Sequence, residues 1–239
     1  MTPAFEQLLA AAEATWPPAA TETLGPVTLR DGAGGGKRVS AATATRPVTA
    51  EELARAEEAM RARGGAPLFQ LPAGQEAFDR MLADRGYGIV DPVDVLVAPV
   101  ATLVQARPPR LRTFAIWEPL EIMREIWAEG GVGPERLAVM ARVRGPKTAL
   151  FARHADQPGG VGFAAVAEDI GMVHALAVRP EHRRAGVGRL MMVQAALWAE
   201  AQGARHLAVL CTRANASARG FYDALGFRPA GCYHYRQKE

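Results

Sequence analysis

One segment in the second half of the sequence constrains the fold most strongly. An apolar run over residues 173–178 is followed by Arg183-Arg184-Ala185-Gly186-Val187-Gly188, and an amphipathic pattern starts at the second glycine. This order predicts a strand, a tight turn and the N-terminus of a helix. Such a turn allows close backbone approach, and its free N–H groups and two arginines would attract a phosphate. We therefore expect an anion-binding turn, although a solvated turn would use the same residues.

The residues after this turn predict a helix, a strand and a second helix. The first helix ends at Gly203, and the apolar run over residues 206–211 predicts the strand. Residues 215–227 start with the capping residue Asn215 and end with a glycine before the final phenylalanine. The expected inward-facing positions are Leu190, Val193, Leu197 and Ala201 on the first helix and Ala218, Tyr222 and Leu225 on the second.

These two motifs together resemble those of the GNAT superfamily of N-acetyltransferases. The family pattern is a Gln or Arg, two residues, Gly, one residue and Gly or Ala, followed later by an Asn…Ala…Tyr…Leu-Gly-Phe segment. The resemblance covers about residues 112–235 and is strongest from Met172 onward. It implies an α/β class fold with a mixed α+β sheet, the GNAT acyl-CoA N-acyltransferase fold. It also implies acetyl-CoA as cosubstrate, and direct transfer of the acetyl group to a primary amine in a ternary complex.

The resemblance assigns roles to particular residues. Asn215 and Ala218 would contact the cofactor arm, although a helix cap alone explains Asn215. Tyr222 would protonate the leaving thiolate; the alternative is a hydroxyl bonded to a backbone carbonyl. The backbone at a strand bulge would contact the arm and thioester through Leu176, Ala177 and Val178. The expected pyrophosphate residues are Arg183, Arg184, Ala185, Gly186, Val187, Gly188 and Arg189.

The general base is the least determined part of the site. The strand over residues 207–211 and the pair Gly171-Met172 lack the glutamate that family members carry there. His174 is the best remaining candidate, because an imidazole titrates near neutral pH and strand alternation places it on the face of Leu176 and Val178. Glu168 and Asp169 come next. A half-buried structural histidine and a water relay remain alternatives.

Composition restricts the class of protein and its partners. Hydrophobic residues make up 49% of the 239 residues, yet no apolar run approaches the roughly 18 residues of a membrane helix. The stretch Met1 to Trp16 predicts an amphipathic helix rather than a signal peptide. The two cysteines, Cys211 and Cys232, suit a reducing compartment, and Cys211 suits a core position. We expect a cytoplasmic protein, monomeric or homodimeric, with no metal, membrane or nucleic-acid partner, at a net charge of +3.

A proline-containing segment from Val104 to Arg110 divides the sequence and shows no periodicity. It predicts a domain over residues 1–106 and a catalytic domain over residues 112–239. The acceptor side of the cleft is expected near Trp117 and Trp127, but neither the acceptor nor the acyl length can be read from the sequence. The elements expected in the first domain are a hairpin of Val27–Arg30 and Arg38–Ala42, a helix over Thr49–Arg63, a strand over Pro67–Leu71, a helix over Ala77–Arg85 and a strand over Asp94–Pro99.

The order of elements in the first half repeats in the second. The sequence starting at Gly65 aligns with that starting at Gly203, and Leu82 falls opposite Tyr222. No glycine-rich loop precedes the first-half helix. We interpret the first half as a degenerate GNAT-like domain without cofactor chemistry; an unrelated small α/β cap is the alternative. The glycine cluster over residues 32–36 does not fit a P-loop and predicts a flexible hairpin turn.

The sequence ends soon after the strand-like residues 232–235, although the family fold has one more strand. An unpaired edge inside such a sheet would be costly. We therefore predict that a strand from residues 20–105, or from another subunit, occupies the missing position and joins the two halves into one rigid unit. The functional alternative to an enzyme is a non-catalytic acyl-CoA-binding regulatory module, which the missing glutamate would suit.

Overall fold

The computed structural model describes residues 2–104, 108–109 and 112–238. The strands are β1 (Ala20–Leu24), β2 (Val27–Asp31), β3 (Thr43–Ala44), β4 (Leu68–Pro72), β5 (Gly88–Pro99), β6 (Thr113–Ile116), β7 (Lys147–His154), β8 (Gln157–Ala167), β9 (Ile170–Val178), β10 (His206–Thr212) and β11 (Arg228–Gln237). The α-helices are α1 (Phe5–Ala14), α2 (Lys37–Ser40), α3 (Ala50–Ala62), α4 (Glu76–Asp84), α5 (Val100–Leu103), α6 (Glu121–Glu129), α7 (Pro134–Arg142), α8 (Val187–Ala201) and α9 (Ala216–Ala224), and a short 3₁₀ helix spans Pro180–His182.

Strands from both parts of the sequence form one eight-stranded mixed sheet, in the order β4-β11-β5-β10-β9-β8-β7-β6. Strands β6 to β9 are antiparallel neighbours, whereas β9 and β10 run parallel. Because a parallel connection needs a crossover, α8 links β9 to β10 across one face of the sheet. The fold is a mixed α/β fold, as expected from the sequence. A small separate sheet contains β1, β2 and β3.

The missing last strand is supplied by the first half of the same sequence. Strand β5 lies between β10 and β11 and pairs antiparallel with both. Strand β4 then covers the outer edge of β11. The prediction that a strand from residues 20–105 fills this position is confirmed, and the two halves share one continuous sheet.

Helices cover both faces of this sheet. On one face, α8 and α9 pack over apolar residues of β5, β8, β9 and β10, including Leu96, Val173 and Val209. On the other face, α1 packs beside β9 and β10, and α6 and α7 cover β7 and β8. None of the helices in the described ranges is long and apolar enough to cross a bilayer.

The predicted first-half hairpin is wrong. Strand β2 pairs with β1 through a turn at Gly25, and residues 37–40 are helical. The glycine cluster is a packed turn rather than a flexible one, because a Cβ atom at Gly35 would lie 2.6 Å from the side chain of Val139. The sequence pattern missed β1 because its residues are largely exposed and show no apolar alternation.

The start of β5 and the buried face of α8 also differ from the prediction. Strand β5 starts six residues before the predicted Asp94, because a bulge opposite His234 accommodates Asp91 and Pro92 within the ladder. The predicted inner face of α8 is only partly right, since Val193 is buried but Leu190 and Leu197 are half-buried and Ala201 is exposed. Its buried residues are Val187, Met191, Met192, Val193, Ala195, Ala196 and Ala199. Most residues of the predicted boundary segment, Val104 to Arg110, lie outside the described residues.

Candidate active site

A large cavity of about 1160 Å³ lies where β9 and β10 separate. The parallel ladder between these strands ends at the pair Val173 and Val209. The end of β9, the following turn and the first turns of α8 and α9 form the cavity wall. Of the predicted cofactor residues, all except Ala185 line it: Leu176, Ala177, Val178, Arg183, Arg184, Gly186, Val187, Gly188, Arg189, Asn215 and Ala218.

The turn before α8 leaves the helix N-terminus open toward the cavity. Gly186 is the N-cap residue, has a left-handed φ of 79° and has no capping side chain. Arg184 also has a positive φ, of 61°. The first turn of α8 contains no acidic residue, so its unpaired N–H groups and the helix dipole favour a bound anion. Gly188 lies close to α9, since a Cβ atom there would be 3.2 Å from Cζ of Phe221.

Strand β9 has a bulge one residue before the predicted arm-binding segment. Its register against β8 shifts between the pairs Ala177–Val161 and His174–Phe163, and Ala175 has a positive φ of 49°. The fully buried indole of Trp127 donates a hydrogen bond of 2.8 Å from Nε1 to the Ala175 carbonyl. A bulge interrupts the regular ladder and leaves backbone groups available to a ligand. Trp127 therefore holds the bulge in place through this hydrogen bond, and it does not line the cavity.

Tyr222 lies on α9 in the cavity wall, with 9% of its surface exposed. Its ring packs against Phe221 and Phe227, with ring centres 5.2 and 5.6 Å away. Within the described residues its hydroxyl makes no hydrogen bond, so the expected structural alternative is not found. Burial, followed by the charge of nearby Cys211, raises the pKa of the Tyr222 hydroxyl. The hydroxyl is thus protonated at neutral pH and able to donate.

His174 is 4% exposed and does not line the cavity. The Thr15 hydroxyl donates to the Ala11 carbonyl at 2.7 Å, so its oxygen accepts from His174 Nε2 at 2.9 Å. The Nδ1 atom is then unprotonated and accepts from Arg38 Nη1 at 3.0 Å. Burial, and secondly the Arg38 charge, lower the pKa of the imidazole well below its usual value. In this arrangement both ring nitrogens are occupied by protein partners.

The other two base candidates lie at the far end of β9. Glu168 and Asp169 form the turn between β8 and β9, and neither lines the cavity. Asp169 forms an ion pair of 2.6 Å with Arg205, and the hydrogen bond from Arg205 lowers the pKa of the carboxyl. Their position favours a structural role.

Sequence reasoning missed an ion pair in the cavity wall. Arg179 donates two hydrogen bonds to Glu129, at 2.6 and 2.9 Å, and joins the end of α6 to the turn after β9. The bond from Arg179 lowers the pKa of Glu129. The position of Arg179 directly after the apolar strand could have marked it as a residue of the site. Its partner lies 50 residues away, so the ion pair could not be predicted from a local pattern.

Three further residues that the sequence pattern singled out have identifiable structural positions. The Asn215 side chain accepts from the Ala218 N–H at 3.0 Å and caps α9, although both residues also line the cavity. Cys211 is buried in the core beside Tyr222. Trp117 is 38% exposed and packs on Phe163.

A second cavity of about 210 Å³ lies beneath α1, on the face of the sheet opposite α8. Its polar and charged lining residues come mostly from the first half of the sequence. They are Glu13, Arg30, Arg38, Thr43, Gln70 and Tyr233.

Comparisons with known proteins agree with this geometry. Residues 146–229 match the model of the acetyltransferase (GNAT) domain. The chain is 24% identical over 238 residues to the uncharacterized N-acetyltransferase YobR of Bacillus subtilis (strain 168), covering 95% of this chain and 96% of that protein.

Solved structures show the same fold. A GCN5-related N-acetyltransferase from Kribbella flavida superposes with a TM-score of 0.74 at 18% identity, over 97% of this chain and 94% of that one. A tandem GNAT protein from the clavulanic acid biosynthesis pathway superposes with a TM-score of 0.67 at 14% identity, over 97% and 87% of the two chains.

Proposed function

We propose, from the premise that this chain is a GNAT-type acyltransferase, that it moves the acetyl group of acetyl-CoA to a primary amine in a ternary complex. One observation carries the proposal. An open helix N-terminus, the strand segment directly after a bulge and a buried tyrosine all line one cavity. An anion site, an oxyanion donor and a proton donor are what acyl transfer from a thioester requires.

The residues around the larger cavity fit acetyl-CoA by their chemistry. The open N–H groups at Gly186 and the side chains of Arg183, Arg184 and Arg189 supply donors and positive charge for a pyrophosphate. The apolar wall of Leu176, Ala177 and Val178 offers backbone groups to the arm. Asn215 and Ala218 would lie along the same arm. We also propose that residues 112–239 bind acetyl-CoA and that residues 1–106 form part of the wall of the acceptor site.

During transfer the protein would stabilise charge at two atoms. Backbone N–H groups near the Ala175 bulge would donate to the carbonyl oxygen as it becomes negative, and Trp127 holds that backbone in place. Tyr222 would donate its proton to the departing thiolate. The C–N bond forms, the C–S bond breaks, the amine proton passes to solvent, and solvent returns a proton to the Tyr222 oxygen. Glu129, the one carboxylate that the described residues place in this wall, is held by Arg179, so it is not available as the base.

Calorimetric titration with acetyl-CoA and with CoA tests the proposal first. We expect one site per chain, with a dissociation constant in the micromolar range. A thiol-release assay with a panel of small amines, amino acids and peptides then tests turnover. Cofactor binding without turnover on any amine would support the non-catalytic acyl-CoA-binding alternative, and absence of binding to either ligand would refute both.

A further inference from the structure

We infer that the second cavity holds the acceptor, and that Arg38 selects an amine that also carries a carboxylate. The inference rests on the proposed function and names its substrate class. An α-amino acid or another small amino acid is the kind of molecule meant. Three observations carry it: the position of the cavity, the charge balance of its wall and the unused donor of Arg38.

The second cavity reaches the strand pair at the point where β9 and β10 separate, which is also where the first cavity lies. Leu210 lines it and is the first residue of β10 beyond the last pair with β9. Across the gap, the corresponding residue of β9 is His174, which directly precedes the Ala175 bulge. Trp16 and Arg38 line the cavity and contact His174. A molecule in this cavity would therefore approach the bulge from the face opposite α8.

Two of the three charged side chains in this wall neutralise each other. Arg30 donates two hydrogen bonds to Glu13, at 2.9 and 3.1 Å. It also donates to the carbonyl of Ala41 and the hydroxyl of Thr43. Arg30 is thus satisfied by the protein, and this pair adds no net charge to the cavity.

Arg38 has no such partner. No carboxylate in the described part of the chain lies within ion-pair distance of it, and its Nη1 atom binds a neutral imidazole nitrogen. Its Nε atom is buried and makes no hydrogen bond. The guanidinium carbon lies 5.8 Å from the ring centre of Trp16. Because a buried donor and an unpaired charge are both costly, the site favours an anion that pairs with Arg38.

The size and lining of the cavity restrict that anion further. Its volume of about 210 Å³ is below the ~300–1,000 Å³ typical of sites for drug-sized ligands. A planar carboxylate matches the donor geometry of a guanidinium. Apolar side chains provide a wall for a short aliphatic or aromatic group: Leu9, Ala12, Trp16, Pro18, Pro72 and Leu210. A large macromolecular segment would not fit there without movement of α1.

The test compares matched acceptors at saturating acetyl-CoA. Each active amino acid is assayed beside its carboxamide and its decarboxylated amine. We expect kcat/KM for the free acid to exceed that for the amide by about 10- to 100-fold, the range for a hydrogen bond between charged groups. In Arg38→Gln this ratio should fall close to one, and Arg38→Lys, which keeps the charge, should be intermediate. Arg55→Gln, at an exposed position on α3, serves as the control and should keep the wild-type ratio.

A binding experiment separates failure of this inference from failure of the proposed function. Calorimetry measures the affinity of N-acetyl amino acids and their amides for the wild type and for Arg38→Gln, without any need for turnover. We expect the acid to bind the wild type and to lose at least tenfold in affinity in the variant. Equal affinity for acid and amide, or an unchanged preference in Arg38→Gln with normal acetyl-CoA binding, would overturn the inference and leave the proposed function intact. Thermal unfolding checks that each variant is folded.

Discussion

Two β-α-β units of this molecule have the same fold but different chemistry. The first contains β4, α4 and β5, and the second contains β10, α9 and β11. Helices α4 and α9 begin at Glu76 and Ala216, and strands β5 and β11 begin at Gly88 and Arg228, a shift of 140 residues in both cases. Strands β5 and β11 pair at the centre, β10 adds to β5, and β4 adds to β11. The units are therefore related by an approximate twofold axis through the sheet.

The helices that precede the two units differ at their N-termini. Helix α3 caps itself: Thr49 accepts from the Glu52 N–H at 3.2 Å, and the Glu52 carboxylate accepts from the Thr49 N–H at 2.9 Å. Helix α8 has only Gly186 at the corresponding position. A capping box satisfies the donors that an anion would otherwise use. The same architecture is thus closed in one half and open to a ligand in the other.

The helices within the units also differ. Leu82 and Tyr222 occupy the same position on α4 and α9, where one is fully buried and the other lines the larger cavity. The contacts from helix to central strand have reversed charges. Arg219 of α9 faces Asp94 of β5 at 3.5 Å, whereas Asp79 of α4 pairs with Arg236 of β11 at 2.8 Å and also hydrogen-bonds His234 at 2.7 Å. Each unit therefore binds the other by an ion pair of opposite polarity.

The largest effect is expected at the open helix. In Gly188→Asp, a side chain would approach Phe221, and a negative charge would lie among the N–H groups that we propose bind the pyrophosphate. Loss of two hydrogen bonds to a charged group is worth about 4 kcal/mol, or roughly 1,000-fold in acetyl-CoA affinity by calorimetry. Glu51→Ala, in the first turn of α3, is the matched control and should bind like the wild type. Equal affinity in both variants would place the cofactor elsewhere.

The second prediction separates the two helix positions. Tyr222→Phe should lower kcat by about 100-fold, because a general acid contributes at least that much, while acetyl-CoA affinity changes little. Leu82→Met, a conservative change at the equivalent position, should leave kcat unchanged. Steady-state kinetics with calorimetry on the same preparations decides. An unaltered kcat in Tyr222→Phe would remove this hydroxyl from the mechanism.

The third prediction compares the two ion pairs by urea unfolding. Asp94 is 7% exposed and also accepts from Arg213 at 2.8 Å. Asp94→Ala should cost about 2 kcal/mol, less than a fully buried pair because both arginines can return to solvent. The carboxylate of Asp79 is more exposed, and its partner Arg236 keeps a hydrogen bond to the Tyr87 carbonyl, so Asp79→Ala should cost about 1 kcal/mol. If Asp79→Ala lowers the free energy of unfolding more than Asp94→Ala does, the contact made by α4 contributes more than the contact made by α9 to the stability of the packing between the two halves.

Sequence patterns predicted the elements whose ends are marked by capping or turn residues. Helix α3 lies within one residue of its predicted bounds at both ends because Thr49 and Glu52 form a capping box, and β10 starts at the predicted residue His206 because an apolar run follows turn residues. The inner face of α8 was predicted only in part because small alanines, rather than leucines, give much of the close packing against the sheet. The start of β5 was missed because Asp91 and Pro92 do not resemble a strand.

In the candidate site, too, local sequence patterns indicate nearby residues but not partners that are distant in sequence. The turn over residues 183–188 and Tyr222 are close in sequence, and their common cavity follows from one strand-helix-strand segment. The environment of His174 depends on Thr15 and Arg38, which are 159 and 136 residues away. No periodicity within β9 could indicate those partners. Long-range contacts between the halves decide the chemistry of that imidazole.

The last prediction concerns the contact of His174 with residues of the first half. His174 is buried in its neutral form, with a pKa below the value of about 6.5 of an unfolded histidine. Between those two values the unfolded state binds more protons, so the free energy of unfolding should fall as the pH falls below about 6.5. The slope from one such group is at most about 1.4 kcal/mol per pH unit. Above this range the group should have no effect.

His174→Gln keeps a donor for Thr15 and removes the titrating group, so its unfolding free energy should fall less steeply between about pH 6.5 and 5. Burial also lowers the pKa of the half-buried His206, which adds a fall of the same sign and makes His206→Gln the matched comparison. Chemical denaturation at a series of pH values measures both slopes. If His174→Gln retains the full wild-type slope, the imidazole takes up its proton in the folded protein over the same pH range as in the unfolded chain. Arg38 could then not donate to Nδ1, and the contact between the first half and β9 would have a different form.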